Sequence, residues 1–306
     1  MDMKMKEITY SDYLPLKKYF NNQRYMLCVY TLPSLIAWSN EYYKPYGIIE
    51  KDALIIAAEF TEQKEYRRHL ILPISPSREY SPEELCRVAE KCGFDNYWFV
   101  PGNYIDTFGK KEVESYFKIT LQKEYCDYVY LKSDISELKG NRYSQKRNLI
   151  HQFEREYIEN NRVETGKIIP RLSAECIDFL EKWCIERDCD ADVNEDLACE
   201  KNAIINTLNH IDMLDMEGIY LRINGEICAF AIAAYLTNDM GVLHFEKAFT
   251  NIKGLYQYFD KLCANSLFDG YTYINKESDM NIPGLAKVKQ SYHPAMIIKS
   301  YRLDLK

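Results

Sequence analysis

The sequence predicts an α+β protein made of two tandem copies of one unit, each a central sheet flanked by helices. Three observations predict it. The first and last thirds of the chain both read strand–turn–strand–strand–helix–strand, and a matched order of this kind marks a repeated unit. The length of 306 residues suits two domains of about 150 residues each. The composition, 47% hydrophobic and 14% aromatic, is ample for packed cores. The units are expected at residues 1–131 and 132–306.

In the first unit, residues 11–22 ("SDYLPLKKYFNN") look helical, and a second helix opens near Pro33 and Ser34. "YGIIEKDALIIAAEF" reads as a hairpin turning at Lys51 and Asp52, and "RRHLILPIS" as a further strand. "SPEELCRVAEKCGF" is a helix with both ends written into it. Ser81 is the N-cap, Pro82 the first position, Glu84 the capping-box partner and Gly93 the stop. "NYWFV" follows as a strand.

The second unit repeats the order. "EGIYLRINGEICAFAIAAYL" is a hairpin on an Asn224-Gly225 turn, a strong hairpin signal. "MGVLHFEKAF" is a strand, "GLYQYFDKLCANSLFDG" a helix and "YTYINKE" a strand. "AKVKQSYHPAMIIKSYRLDL" reads as a loop and a final strand. Between the units, "SAECIDFLEKWCIER" and "EKNAIINTLNHIDML" have helical periodicity. The loop joining them, "DCDADVNEDLAC", begins like a calcium loop. It has Val193 where that loop needs glycine and Cys199 where it needs glutamate, so an acidic connection is expected instead.

Composition also excludes function classes. A net charge of −7 argues against wholesale coating of nucleic acid while leaving room for a local basic site. No apolar run approaches the roughly 20 residues of a membrane span, and "MDMKMKEITYSDYL" has no signal-peptide core. The ten cysteines are scattered without a CxxC pair and the five histidines form no cluster. Reduced thiols, no metal and a cytoplasmic location are expected.

The positive charge gathers in "LKGNRYSQKRNLIHQFEREY", residues 138–157. On a helix of 100° per residue, Tyr143, Leu149, Ile150, Phe153 and Tyr157 share one side, and Ser144, Gln145, Asn148, His151 and Arg155 the other. Lys146 falls in the middle of the apolar side, with Arg142 on that side and Arg147 at its edge. A charge so placed must snorkel, pair or face a wet cavity. Lys139, Arg142, Lys146 and Arg147 are therefore expected to wall a cleft between the units, the alternative being pairs with acids of the neighbouring unit.

This segment, with "HFEKAFTNIKGLYQYFDKLCAN" and "YINKESDMNIPGLAKVKQSYHP", resembles a bacterial family related to the C-terminal domain of phosphatidylglycerol lysyltransferases. The resemblance runs from about residue 10 to the end. It implies a tandem pair of Gcn5-related N-acetyltransferase (GNAT)-like domains with mixed sheets, and transfer of an aminoacyl or acyl group to an amine or hydroxyl. It also implies contact with charged tRNA or, peripherally, with anionic lipid. A non-catalytic module holding RNA or another anion is the alternative.

In this fold a glycine-rich turn before a helix holds the CoA pyrophosphate through backbone N–H groups. Here the matching "FTNIKGLYQYF" offers Lys253 and one glycine, Gly254, with bulky Tyr256 where a small residue is usual. CoA stays open as a donor, and a different activated ester fits this turn better. Glu246, at a strand end, and Glu277 and Asp279, after the next strand, are candidates for a base or for holding an ammonium group. Lys247, Lys276 and Lys287 are candidates for neutralising phosphate. Tyr292 is a candidate acid and His293 a candidate base, against a plain X-Pro turn. No serine or cysteine nucleophile constellation is visible.

Overall fold

The protein is described by a computed structural model covering residues 4–40, 43–62, 65–186 and 195–306. Most of the acidic connection at 188–199 lies outside the described residues. The architecture is mixed α+β, with one large mixed sheet flanked by helices.

The strands are β1 (Lys6–Glu7), β2 (Tyr43–Glu50), β3 (Ala53–Glu62), β4 (Glu65–Leu70), β5 (Asn96–Pro101) and β6 (Phe117–Leu131), then β7 (Val163–Lys167), β8 (Glu217–Ile223), β9 (Glu226–Thr237), β10 (Met240–Ala248), β11 (Tyr273–Asn275) and β12 (Met296–Leu305). The helices are α1 (Tyr13–Lys17), α2 (Leu32–Ala37), α3 (Pro82–Cys92), α4 (Gly102–Phe108), α5 (Lys110–Tyr116), α6 (Lys132–Glu137), α7 (Ser144–Phe153), α8 (Ser173–Ile185), α9 (Glu195–Asn209), α10 (Leu255–Ser266) and α11 (Pro283–Gln290).

Local chemistry explains the clearest of these. In α3 the Ser81 hydroxyl accepts from Glu84 N–H at 3.3 Å, and the Glu84 carboxylate accepts from Ser81 N–H at 2.9 Å. Gly93 ends the helix at φ 72°. The β8–β9 turn takes positive φ at both Asn224 and Gly225, matching the twist of the flanking strands.

The strand order is β1-β2-β3-β4-β5-β12-β6-β11-β10-β9-β8-β7. Its two ends mirror each other. Each half builds an antiparallel run and then one parallel pair, β4–β5 in the first and β10–β11 in the second. The last strands are exchanged: β6 follows the first half in sequence but pairs with β11, and β12 closes the chain but pairs with β5. Pairing of β6 with β12 then joins the halves into one sheet. Residue 131, where the first unit is expected to end, is the last residue of β6.

Three readings change. The long strand β6 and the edge strand β7 have no counterpart among the expected elements. The expected loop after residue 285 is in fact largely α11, opened by Pro283 at its first position. The helix expected at 11–22 is the single α-turn α1 between 3₁₀ turns. Among the described cysteines none is bridged, and no described helix is long and apolar enough to cross a membrane.

One core contains residues of α2, α3, α8 and α9. A second, under α6, α7 and α10, lies on the other face of the second half of the sheet.

Candidate active site at the parting of β10 and β11

β10 and β11 run parallel through Met240–Tyr273, Gly241–Ile274 and Val242–Asn275, then part. Past the parting β10 continues along β9, with a bulge between Leu243 and Phe245. A bulge re-aims a side chain, and the re-aimed residue here is His244. Val242 and Phe245 pack in the core beneath α2, and His244 turns to that side to meet Thr31, the N-cap of α2. Leu243 and Ala248 pack in the core beneath α10, and Glu246 points that way. The parting therefore carries different side chains on its two faces.

On the α10 face, Lys276 bonds Glu246 at 2.9 Å and Asp260 at 2.7 Å. The Glu246 side chain is 13% exposed, and its second oxygen, Oε1, is buried without a partner. Burial, then the Asp260 charge, raise the Glu246 carboxyl to about 7, against the pull of Lys276. Burial disfavours the Lys276 ammonium, but the two carboxylates outweigh it and keep Lys276 charged. Tyr292 is buried beside them. Burial, then Asp260, push its hydroxyl well above the ordinary range. The Lys146 ammonium sits 3.4 Å from the Tyr292 ring centre and donates to Ser291 Oγ at 2.8 Å. Burial lowers it to about 8, Asp260 opposing and Lys276 assisting.

On the α2 face, His244 Nδ1 lies 2.7 Å from Glu277 Oε1, and Nε2 lies 3.2 Å from Thr31 Oγ. Beside them Asp127, raised to about 6 by burial, accepts from Asn275 Nδ2 at 2.8 Å and Cys28 N–H at 2.6 Å.

Glu246, Tyr292 and Lys146 are thus brought together, while Glu277 joins the opposite face. The expected basic wall reduces to Lys146. Arg147 donates to the Leu138 and Gly140 carbonyls at 2.6 Å, tying down the turn before its helix. Arg142 pairs with Asp134 at 2.9 Å and Lys139 with Glu137 at 2.5 Å, both on the surface. Lys253 and Lys287 are exposed. His293 is exposed too, its ring edge-on to Tyr143 at 5.4 Å. Gly254 caps α10 at φ 83°, and a Cβ there would stand 2.2 Å from the Leu149 carbonyl oxygen of α7. This glycine serves a close approach of two helices.

Sequence reasoning missed His244, Thr31 and Asp260. Asp260 left a signal, a carboxylate at helical spacing among buried Phe259, Cys263 and Ala264. His244, inside an apolar strand, left none. Among the described residues no group of acids, cysteines and histidines is arranged to hold a metal.

Solved structures share this architecture. None of the curated proteins matches the chain. A conserved protein of unknown function from Bacteroides thetaiotaomicron is 28% identical, with a TM-score of 0.87 over 99% of this chain and all of that one. The C-terminal domain of a protein assigned as a lysylphosphatidylglycerol synthetase from Agrobacterium fabrum is 12% identical, with a TM-score of 0.59 over 89% and 86% of the two chains. A tandem GNAT protein from the clavulanic acid pathway aligns at 6% identity and a TM-score of 0.46, over 98% of each chain. The family of phosphatidylglycerol lysyltransferase C-terminal domains matches residues 44–304, and the chain belongs to it.

Proposed function

We propose that the protein is an acyltransferase of the aminoacyl type, acting at the parting of β10 and β11 on an amine or hydroxyl acceptor. The observation that carries this reading is the enclosed, unpartnered Oε1 of Glu246 beside a charged lysine. A carboxyl raised to about 7 is matched to taking a proton near neutral pH. The acceptor nitrogen or oxygen attacks the ester carbonyl and its proton passes to Glu246. The donor's C–O bond breaks, and the leaving oxygen takes a proton from Lys146. Lys146, near 8, suits this role better than Tyr292, whose hydroxyl is held too high. The Tyr292 ring instead seats the ammonium by a cation–π contact. Lys276 keeps Asp260 and Glu246 together and offers positive charge to the developing oxyanion.

The donor is read as an aminoacyl ester on tRNA. Gly254, pressed against α7, fits the packing of α10 and does not fit a pyrophosphate cradle, which argues against CoA as the donor. A purely anion-binding module has less support, because Lys139, Arg142 and Arg147 are already engaged.

The test is incubation with labelled, mixed aminoacyl-tRNA and a panel of amine and alcohol acceptors. Label is expected to leave the tRNA for an acceptor, and Glu246→Gln is expected to slow this by about 10²–10⁴-fold. No transfer from tRNA, or transfer from acyl-CoA alone, overturns the reading of the donor.

A further inference from the structure

The α2 face of the parting plays no part in the chemistry above, yet it holds the most tightly constrained residue of the region. Glu277 is a non-glycine residue at φ 58°, a conformation that persists only where surroundings over-determine it. Its N–H donates to Asn275 Oδ1 at 2.7 Å. Its carbonyl accepts from Tyr128 N–H at 3.0 Å and Lys289 Nζ at 3.1 Å. Its carboxylate is held through Oε1 by His244 at 2.7 Å. His244 is itself fixed by Thr31, which reaches in from the first half of the chain. Four bonds hold this one residue and its carboxylate still.

A purely structural carboxylate–imidazole contact would normally be closed off. Glu277 is not: its side chain is 25% exposed, and among the described residues only His244 bonds its carboxylate, through the other oxygen, leaving Oε2 open. Nor does the turn need a carboxylate. Two residues past the last parallel pair of the first half, Phe99 takes φ 56°, as Glu277 does two residues past the last pair of the second. Both residues take the left-handed region, one with an aromatic side chain and the other with a carboxylate.

We infer that Glu277 Oε2 binds a primary ammonium group carried by the acceptor, with His244 and Thr31 as positioning residues. This rests on the acyl-transfer reading for the word acceptor. Lys146 and Lys276 stand on the α10 face and repel a cation there, so the ammonium end of the acceptor is drawn to the α2 face while its nucleophile reaches Glu246. A carboxylate clamped by its neighbours loses little freedom when it binds, so the contact is pre-organised. Buried Asp127 on the same face is engaged by Asn275 Nδ2 and Cys28 N–H. The Lys289 ammonium is turned to the Lys276, Glu277 and Ser278 carbonyls.

Calorimetric titration of the full chain with 1,5-diaminopentane reads the subsite without turnover, and 1,5-pentanediol is the neutral control. The diamine is expected to bind and the diol not. Glu277→Gln is expected to weaken the diamine at least tenfold. His244→Asn, whose amide can still donate to the carboxylate, is expected to keep more affinity than His244→Ala, and Thr31→Val to fall between them. Absence of diamine binding, or equal binding by Glu277→Gln, overturns the inference. In the transfer assay, Glu277→Gln is expected to raise KM for a diamine acceptor while kcat holds, and a loss in kcat alone overturns the binding role. Should transfer fail altogether while the titration behaves as expected, the ammonium site stands and the enzymatic reading falls. Should transfer to simple alcohols proceed without regard to Glu277 while the diamine fails to bind, the enzymatic reading stands and the ammonium site falls. A donor with its α-amine acetylated separates the sources: an unchanged Glu277 effect assigns the ammonium to the acceptor, and a vanished one overturns that assignment.

Discussion

The two halves part their parallel strands in the same way and fill the parting with opposite chemistry. Counted from the last parallel pair, Leu72 and Ile74 in the first half stand where His244 and Glu246 stand in the second. Trp98 and Phe99 stand where Lys276 and Glu277 stand. In the first half Leu72 and Ile74 are at most 1% exposed. The Tyr30 hydroxyl bridges the opening, donating to the Phe99 carbonyl at 3.0 Å and lying 3.3 Å from Leu72 N–H. That parting is plugged. The second holds three carboxylates, Glu246, Asp260 and Glu277, with Lys146, Lys276 and His244. One chain thus shows that the backbone closes well with apolar residues. The charges of the second parting are costly to bury, which is why they argue for function rather than for folding.

The sharpest way to break that comparison is Lys276→Met. It leaves Glu246 and Asp260 enclosed without their cation, and about 3–5 kcal/mol of stability is expected to be lost. Urea unfolding reads this directly. The triple variant Lys276→Met, Glu246→Leu, Asp260→Leu makes the second parting resemble the first. It is expected to regain all or most of that loss, because a buried ion network replaced by apolar residues of similar size is often neutral or better, and to have no transfer activity. A triple variant as unstable as the single one would show that the charges hold the fold, and the contrast between the two partings would no longer point to function.

The helices that follow the two partings differ in the same sense. α3 begins with a side-chain cap at Ser81, whereas α10 begins at Gly254 against the backbone of α7. Gly254→Ala forces α7 aside and is expected to cost about 2–4 kcal/mol, from overpacking plus the left-handed backbone. Gly93→Ala is the control. It has the same sign of φ but open space around it, so only the backbone cost of about 1–2 kcal/mol is expected. Equal losses by thermal or urea unfolding would remove the helix contact from the account.

Much of the fold was legible because its signals are local. The Ser81–Glu84 box, Gly93 and the Asn224-Gly225 turn each act within four residues, and the repeated strand order follows from such signals. The exchange of β6 and β12 was not legible, since strand partners are set by contacts far apart in sequence. The site divides the same way. Lys146 was found because a lysine on an apolar helical face breaks a period. Arg142 and Arg147 share its segment but meet a carboxylate and two carbonyls that only the folded chain supplies. His244 depends on a bulge, and a one-residue insertion against β9 leaves no mark in the residues of β10.

The partings also differ in how they respond to pH. The folded carboxyl of Glu246 is raised to about 7 from 4.5. Between those values the folded state binds more protons than the unfolded, so this contribution to stability falls as pH rises from about 4.5 to about 7. The transfer rate should rise over the upper part of that window as the base ionises. Lys146, lowered to about 8 from 10.5, acts at the other end: the unfolded state binds more protons there, and stability from this group rises between about 8 and 10.5. Glu246→Gln is expected to flatten the acid-side change in unfolding free energy. An unchanged profile in that variant would assign the dependence elsewhere.

The smallest effect separates Lys146 from its neighbours. Arg142 and Asp134 form an exposed pair with side chains 50% and 27% accessible, and pairs of this kind contribute about 0–1 kcal/mol. Arg142→Ala is therefore expected to change unfolding by less than about 1 kcal/mol and transfer by no more than a factor of two. Lys146→Ala, which removes a half-buried ammonium from the Tyr292 ring, should leave the fold standing while transfer drops. If the tRNA backbone touches Arg142, the salt dependence of tRNA binding will show it, because each lost phosphate contact lowers the log–log slope by about 1. With Arg142 engaged by Asp134 and stacked over Tyr143 at 4.9 Å, the slope is expected to stay where it is. A slope that falls in Arg142→Ala would return the whole basic segment to the donor's side of the parting.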